Sequence, residues 1–205
     1  MIDLYTWSTP NGRKAAIMLE ETHLDYNVNP INIGKDEQFT PQFLAISPNN
    51  KIPAIIDTDG PGGKPISVFE SGAILLYLAE KVGSDLLPID PREKVRAIEW
   101  LMFQMGGVGP MFGQAHHFFR GKEDVPYGKK RYFNETQRLY TVMDKRLDQN
   151  LYLAGDSYTI ADVATFPWVA RFEWHKTDLK NFPNVKRWFD AVSDREPVKK
   201  GMAVL

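Results

Sequence analysis

The chain has 205 residues, 43% of them hydrophobic and 25% charged, a composition able to bury a core and far from that of a disordered segment. A formal net charge of −1 gives no general attraction to nucleic acid or to an anionic membrane, so the expected partners are small molecules or protein. The sequence contains no cysteine, which excludes structural disulfides, thiolate metal sites and a cysteine nucleophile; any sulfur chemistry must use a bound thiol.

Met1, Ile2 and Asp3 lead straight into strand-like sequence without a basic, then apolar, leader, and no apolar run reaches membrane-spanning length. The expected address is therefore cytoplasmic. Residues 2–6 alternate apolar and polar side chains, and Asn11 opens a segment with Ala15, Met18 and Leu19 at helical spacing. Residues 26–33 predict a second strand, 41–46 a short helix, and 54–57 with 66–68 a hairpin across a Gly- and Pro-rich turn. A helix over about 70–82 closes this unit. The order βαβ then ββα predicts a mixed sheet with one parallel crossover and one hairpin, as in a thioredoxin-like domain over residues 1–83.

A linker is expected over residues 84–90 and an all-helical bundle over 91–205. Asp90, Pro91 and Glu93 make an N-cap, first-turn proline and capping-box glutamate. Val95, Ile98, Leu101, Met102 and Met105 mark one long helix that meets Gly106, Gly107, Gly109 and Pro110, where a kink or break is expected. Tyr132, Thr136, Leu139, Met143 and Leu147 share a stripe of a second. Thr159 and Asp162 cap a third, bent by Pro167, and residues 183–192 form another.

Four segments then fall in order: Ser8-Thr9-Pro10-Asn11-Gly12, Asn49-Asn50-Lys51-Ile52-Pro53, Phe69-Glu70-Ser71-Gly72-Ala73-Ile74, and residues 154–162, Ala-Gly-Asp-Ser-Tyr-Thr-Ile-Ala-Asp. Together they resemble the glutathione transferase superfamily over essentially the whole chain. The Thr-Pro-Asn-Gly turn, the region of Gln38 and the run from Gln104 to Pro110 resemble the bacterial nu class, related to the fungal nitrogen-catabolite prion protein. The resemblance implies glutathione as co-substrate, in reduced or disulfide form, a homodimer, and glutathione-dependent disulfide reduction with weak peroxidase or transferase activity beside it.

It also implies a site. Ser71, at a helix start, would hold the γ-glutamyl carboxylate with free N–H groups and the positive dipole end, and Glu70 would take the ammonium. Pro53 is cis in thioredoxin-like relatives, and Ile52 would pair through its backbone with the cysteinyl residue. Gln38 matches a position at the glycyl end; Lys51 either adds charge there or is solvated. Gln104 and Arg131 match positions that reach toward the ligand from the helical domain, the arginine from its own subunit or its neighbour's.

The residue after the first strand sets the chemistry in this superfamily, and here Thr9 and Asn11 are the candidates for holding a thiolate, with the dominant one left open. Asn11 also stands where a helix N-cap would. With no protein cysteine, disulfide exchange would use two glutathiones, one attacking and one resolving. Alternatives are conventional conjugation of electrophiles and a non-catalytic regulatory role; the fungal relative's Asn/Gln-rich tract has no counterpart here. His116 and His117 are adjacent on a helix, pointing about 100° apart, without carboxylates spaced to complete a metal site. Phe112, Phe118 and Phe119 are candidates either for an apolar wall above the thiol or for core.

Overall fold

The computed structural model describes all of residues 1–205, which divide into two compact units: 1–84 together with 195–205, and 85–194.

In the first unit, β1 (Ile2–Thr6) runs parallel to β2 (Tyr26–Pro30) and antiparallel to β3 (Ala54–Asp57), and β3 pairs with β4 (Ile66–Phe69) in the sheet order β2-β1-β3-β4. The parallel pair is joined through α1 (Pro10–Glu21), and β4 leads through Glu70 into α3 (Ser71–Val82). The alternation in β1 is a true period of two: Ile2, Leu4 and Thr6 are buried while Asp3 and Tyr5 are only half so. The second strand is shorter than expected, because Pro30 ends the ladder and residues Ile33–Lys35 form a 3₁₀ turn capped by Asn32 Oδ1 on Gly34 N at 3.0 Å. The short helix is α2 (Pro41–Leu44), capped by Thr40.

A correction concerns the last helix. Residues 195–205 were expected in the helical bundle, but α9 (Glu196–Ala203) packs on α1 in the first unit. Gly201 makes this possible: a Cβ there would fall 2.5 Å from Ile17 Cα and 2.6 Å from Ile17 N, so the backbones meet with no side chain between. Arg195 pins the start of α9 to Glu21 at the end of α1 through two bonds of 2.8 and 2.7 Å.

The second unit is entirely helical. Its first residues belong to it as well: Leu86 and Leu87 are buried, and the Leu86 carbonyl accepts from Ile160 N at 2.9 Å. α4 (Pro91–Phe103) begins at Asp90, which caps Arg92 N and Glu93 N. The glycine cluster was expected to kink or break the helix. There one π-helical turn (Gln104–Val108) joins α4 to α5 (Gly109–Arg120), so the chain stays helical through the cluster and is not broken. α6 (Pro126–Asp148) buries Thr136, Leu139, Met143 and Leu147, the predicted stripe, while Tyr132 stacks on Phe118 at 5.3 Å. α7 (Ile160–Val169) carries the capping box of Thr159 and Asp162 with Pro167 inside it, and α8 (Pro183–Ser193) follows. Trp188 is fully buried, and Phe166 stacks on Phe189 at 5.2 Å. No helix is long and apolar enough to cross a membrane.

Candidate functional site

Three segments of the first unit carry most of the predicted residues, and each is shaped by a local device. Beyond β1, Thr9 has extended backbone and its Oγ1 accepts from Gly12 N at 3.1 Å, so Thr9, not Asn11, is the N-cap of α1. The correction follows from Pro10, which takes the first helical position and moves the cap one residue before it. Asn11 is half-buried in the first turn. Because Thr9 uses its oxygen as acceptor for the cap, its hydroxyl hydrogen remains for an outside acceptor. Gly12 brings this turn onto the end of β1: a Cβ there would lie 2.3 Å from Trp7 O and 2.4 Å from Thr6 Oγ1. Ser8 is engaged differently, accepting from Arg13 Nη2 at 3.3 Å.

The second segment precedes β3. Buried Ser47 donates to the Lys51 carbonyl at 2.8 Å, and Asn50, with φ of 51°, donates its N–H to the Ser47 carbonyl at 2.9 Å. This tightens the loop into the Ile52–Pro53 bond, which is cis. Lys51 is exposed, Ile52 half-buried and Pro53 buried, and the ladder resumes only at Ala54.

In the third segment, Glu70 holds φ 71° and ψ 114° and caps α3 by backbone alone, its carbonyl accepting from Ile74 N at 2.9 Å. A glutamate at positive φ costs on the order of 1 kcal/mol, and such outliers gather where a ligand is clamped. Its carboxylate is exposed and accepts from Asn49 Nδ2 at 3.3 Å, linking the second and third segments. Ser71 follows at the first helical position, only 4% exposed.

A residue the sequence reasoning missed stands behind Ser71. Lys14, 1% exposed, donates from Nζ to Ser71 Oγ at 3.3 Å. Burial pulls its ammonium down to about 7, against the opposing field of Glu70. Helical spacing was the available signal: Lys14 shares a face of α1 with Ile17 and Met18, both without exposed surface.

Gln38 lies apart from these contacts, in the 3₁₀ segment Glu37–Phe39, where Nε2 reaches Asp36 Oδ1 at 3.5 Å and the buried Oε1 meets no hydrogen-bond partner. In the helical unit, Gln104 was expected to reach toward a ligand. It lies in the π-helical turn with no exposed surface. Arg131 is exposed on α6, in a groove of about 690 Å³ shared with Met111, Tyr127, Tyr132, Glu135 and Arg138. Arg138 binds Glu135 at 2.8 and 2.7 Å, and with Arg131 holds that carboxyl below the usual range.

Phe112 is core rather than wall, stacked on Tyr140 at 4.7 Å and tilted against His175 at 4.5 Å. His116 stacks on Trp174 at 4.1 Å, and His117 packs edge-on to Phe118 at 5.3 Å.

The four-stranded mixed sheet with a cis-proline loop beside a helix start, followed by an all-helical unit, defines a class: a thioredoxin-like glutathione transferase architecture. Residues 1–80 match the glutathione S-transferase N-terminal domain and residues 109–196 the glutathione S-transferase C-terminal domain, and the chain belongs to that superfamily. It is 50% identical over 197 residues to the disulfide-bond oxidoreductase YfcG of Escherichia coli K12, covering 95% of this chain and 91% of that one. A glutathione transferase family member from Pseudomonas fluorescens, solved with two glutathione bound, superposes with a TM-score of 0.95 at 44% identity, covering 100% of this chain and 93% of the other. A glutathione transferase from Pseudomonas putida, solved with one glutathione disulfide bound per subunit, gives a TM-score of 0.94 at 44% identity over 99% and 91% of the two chains.

Proposed function

We propose that this protein is a glutathione-dependent disulfide-bond oxidoreductase that binds two glutathiones. The observation that carries the reading is the helix start at Ser71, where a buried hydroxyl, a buried lysine and a positive-φ glutamate converge in a chain without cysteine. An anionic tripeptide carrying its own thiol matches both halves of that description.

The γ-glutamyl carboxylate would sit on Ser71 and the free N–H groups of α3, and its ammonium on Glu70. Ile52, ahead of cis-Pro53, would pair with the cysteinyl backbone, and Lys51 and Gln38 would meet the glycyl carboxylate. The thiol then falls to Thr9 and Asn11 at the start of α1. A donor there favours thiolate over thiol, each unit of lowered thiol pKa corresponding to about 1.4 kcal/mol.

The first glutathione thiolate attacks one sulfur of the substrate disulfide, forming a mixed disulfide and releasing one substrate thiolate. The second thiolate attacks the glutathione sulfur of that mixed disulfide and releases the other. Two thiolates are oxidised to one glutathione disulfide, and two electrons reach the substrate. Two bound glutathiones and one bound glutathione disulfide, as in the two Pseudomonas structures, are the reactant and product pairs of that sequence. The protein supplies placement and electrostatics. We place the activity in the cytoplasm, where glutathione is kept reduced, and in a homodimer, with the exposed Arg131 facing the ligand of its own or the neighbouring subunit.

The test is the reduction of a small disulfide such as 2-hydroxyethyl disulfide by excess glutathione, with aryl-halide conjugation followed in parallel. Disulfide turnover exceeding conjugation is expected. Conjugation without disulfide turnover would move the protein to the conventional transferases, and binding without either reaction would make it a regulator.

A further inference from the structure

The C-terminal end of α5 gathers positive charge that no acidic side chain neutralises. An open cleft of about 380 Å³ is lined there by Gly113, His116, His117, Arg120, Gly121 and Lys122, with no carboxylate among them. A second element adds to the charge: Arg171, at the start of the 3₁₀ segment Phe172–His175, lies over the ring of Trp174 at 4.6 Å, and Trp174 in turn stacks on His116 at 4.1 Å. Arg171 Nε is buried and meets no hydrogen-bond partner. Burial, and then the fields of Arg120, Arg171 and His117, lower the His116 pKa; every charge acting on that ring is positive.

The helix dipole accounts for His117 and Arg120, which stand in the last turn of α5. It does not account for Lys122, beyond the helix, or for Arg171, from another element. Nor do neighbouring acids. Arg138 and Lys186 each hold a carboxylate one helical turn away, at 2.7 and 2.6 Å. Beside the cleft, however, Asp124 is taken by Lys129 at 2.7 Å, and Glu123 and Glu173 are exposed and pair with none of its cations.

We propose that this cleft binds a phosphoryl group, either as the free ion or as the phosphate end of a small molecule. Arg120 and Lys122 would contact the oxygens with the ring N–H groups of His116 and His117, while Arg171, which does not line the cleft, contributes its field. Each of these groups has hydrogens to donate, and they come from separate positions around the cleft, which suits an anion with three acceptor oxygens better than a flat carboxylate with two. Roughly half a negative charge at the helix end opposes an anion there, against three whole positive charges on Arg120, Lys122 and Arg171. A phosphate monoester, whose second ionisation lies near about 6, meets them as a dianion at neutral pH. Every group named belongs to the second unit, so the site needs no residue of the first.

The experiment is proton NMR of the whole protein, following the ring signals of its four histidines at fixed pH and ionic strength during titration with inorganic phosphate, phenyl phosphate and benzoate. Saturable shifts of His116 and His117, with His23 unmoved, are expected for both phosphates. Tighter binding of phenyl phosphate identifies an ester as the ligand, and equal binding identifies the free ion. Arg120→Gln and Lys122→Gln, both at exposed positions where folding is not at stake, should each weaken the binding about tenfold. Absence of a saturable shift, benzoate binding as tightly as phenyl phosphate, or wild-type affinity in both variants overturns the proposal. The same His116 and His117 shifts produced by S-methylglutathione would assign the cleft to a glutathione carboxylate and overturn it as well.

Discussion

Trp188 Nε1 donates to Asp162 Oδ1 at 2.8 Å, tying α8 to the capping box of α7 across 26 positions. The same carboxylate accepts from Leu153 N and Thr159 N, each at 3.0 Å, and from Thr159 Oγ1 at 3.3 Å. Asp162→Ala strands three N–H groups in the core and should cost about 3–5 kcal/mol in urea unfolding. Trp188→Phe leaves the other donors in place and should cost less, about 1–2 kcal/mol.

His175 has no exposed surface; its Nδ1 lies 3.5 Å from Tyr140 Oη and its Nε2 meets no hydrogen-bond partner. Burial, and then the field of His116, depress its pKa to about 3. The folded value lies below the unfolded value near 6.5, so the stability it contributes is full above pH 6.5 and is lost as pH falls toward 3. Between pH 6.5 and 5 the loss should approach about 2 kcal/mol. Urea unfolding of His175→Gln at the two pH values should lack that part of the slope.

Gly201 faces the Ile17 backbone too closely for any side chain. Gly201→Ala improves helix propensity by about 1 kcal/mol yet should destabilise the protein by about 1–3 kcal/mol net, since α9 must move off α1. Thermal unfolding gives the sign, and hydrogen exchange should show faster exchange in residues 196–203.

Thr9 has two duties that substitutions separate. Thr9→Ala removes the cap, at about 1 kcal/mol of stability, and also the hydroxyl donor. Thr9→Asp keeps a capping oxygen but replaces the donor with a negative charge. Stability of the aspartate variant should match wild type while disulfide reduction falls at least about tenfold, with the glutathione thiol titrating at higher pH in the complex. Full activity in Thr9→Asp would assign the thiolate to Asn11.

Much of this protein was legible in the chain because it depends on neighbours a few residues apart. The period-two pattern of β1, the Asp90 cap of α4, the apolar stripe of α6 and the Thr159–Asp162 capping box are local, and the structure shows each. So is the ordered set of short motifs that carried the family resemblance. Local reading also had limits within its own reach. It offered Asn11 as the cap where Pro10 places Thr9, and for the glycine cluster it left open a kink or a break where the helix passes through a π turn.

What only the tertiary structure decided are the relationships between distant residues. Lys14 looks like an ordinary helix lysine until α3 brings Ser71 to it, and Asp162 looks like a capping residue alone until α8 brings Trp188 to it. The last eleven residues were assigned with the helical bundle, yet their place beside α1 follows from Gly201 and from the pairing of Arg195 with Glu21. The physical reason is common to all three. Periodicity and capping are set by backbone geometry over a turn or two, whereas burial and charge pairing depend on which surfaces the folded chain brings together.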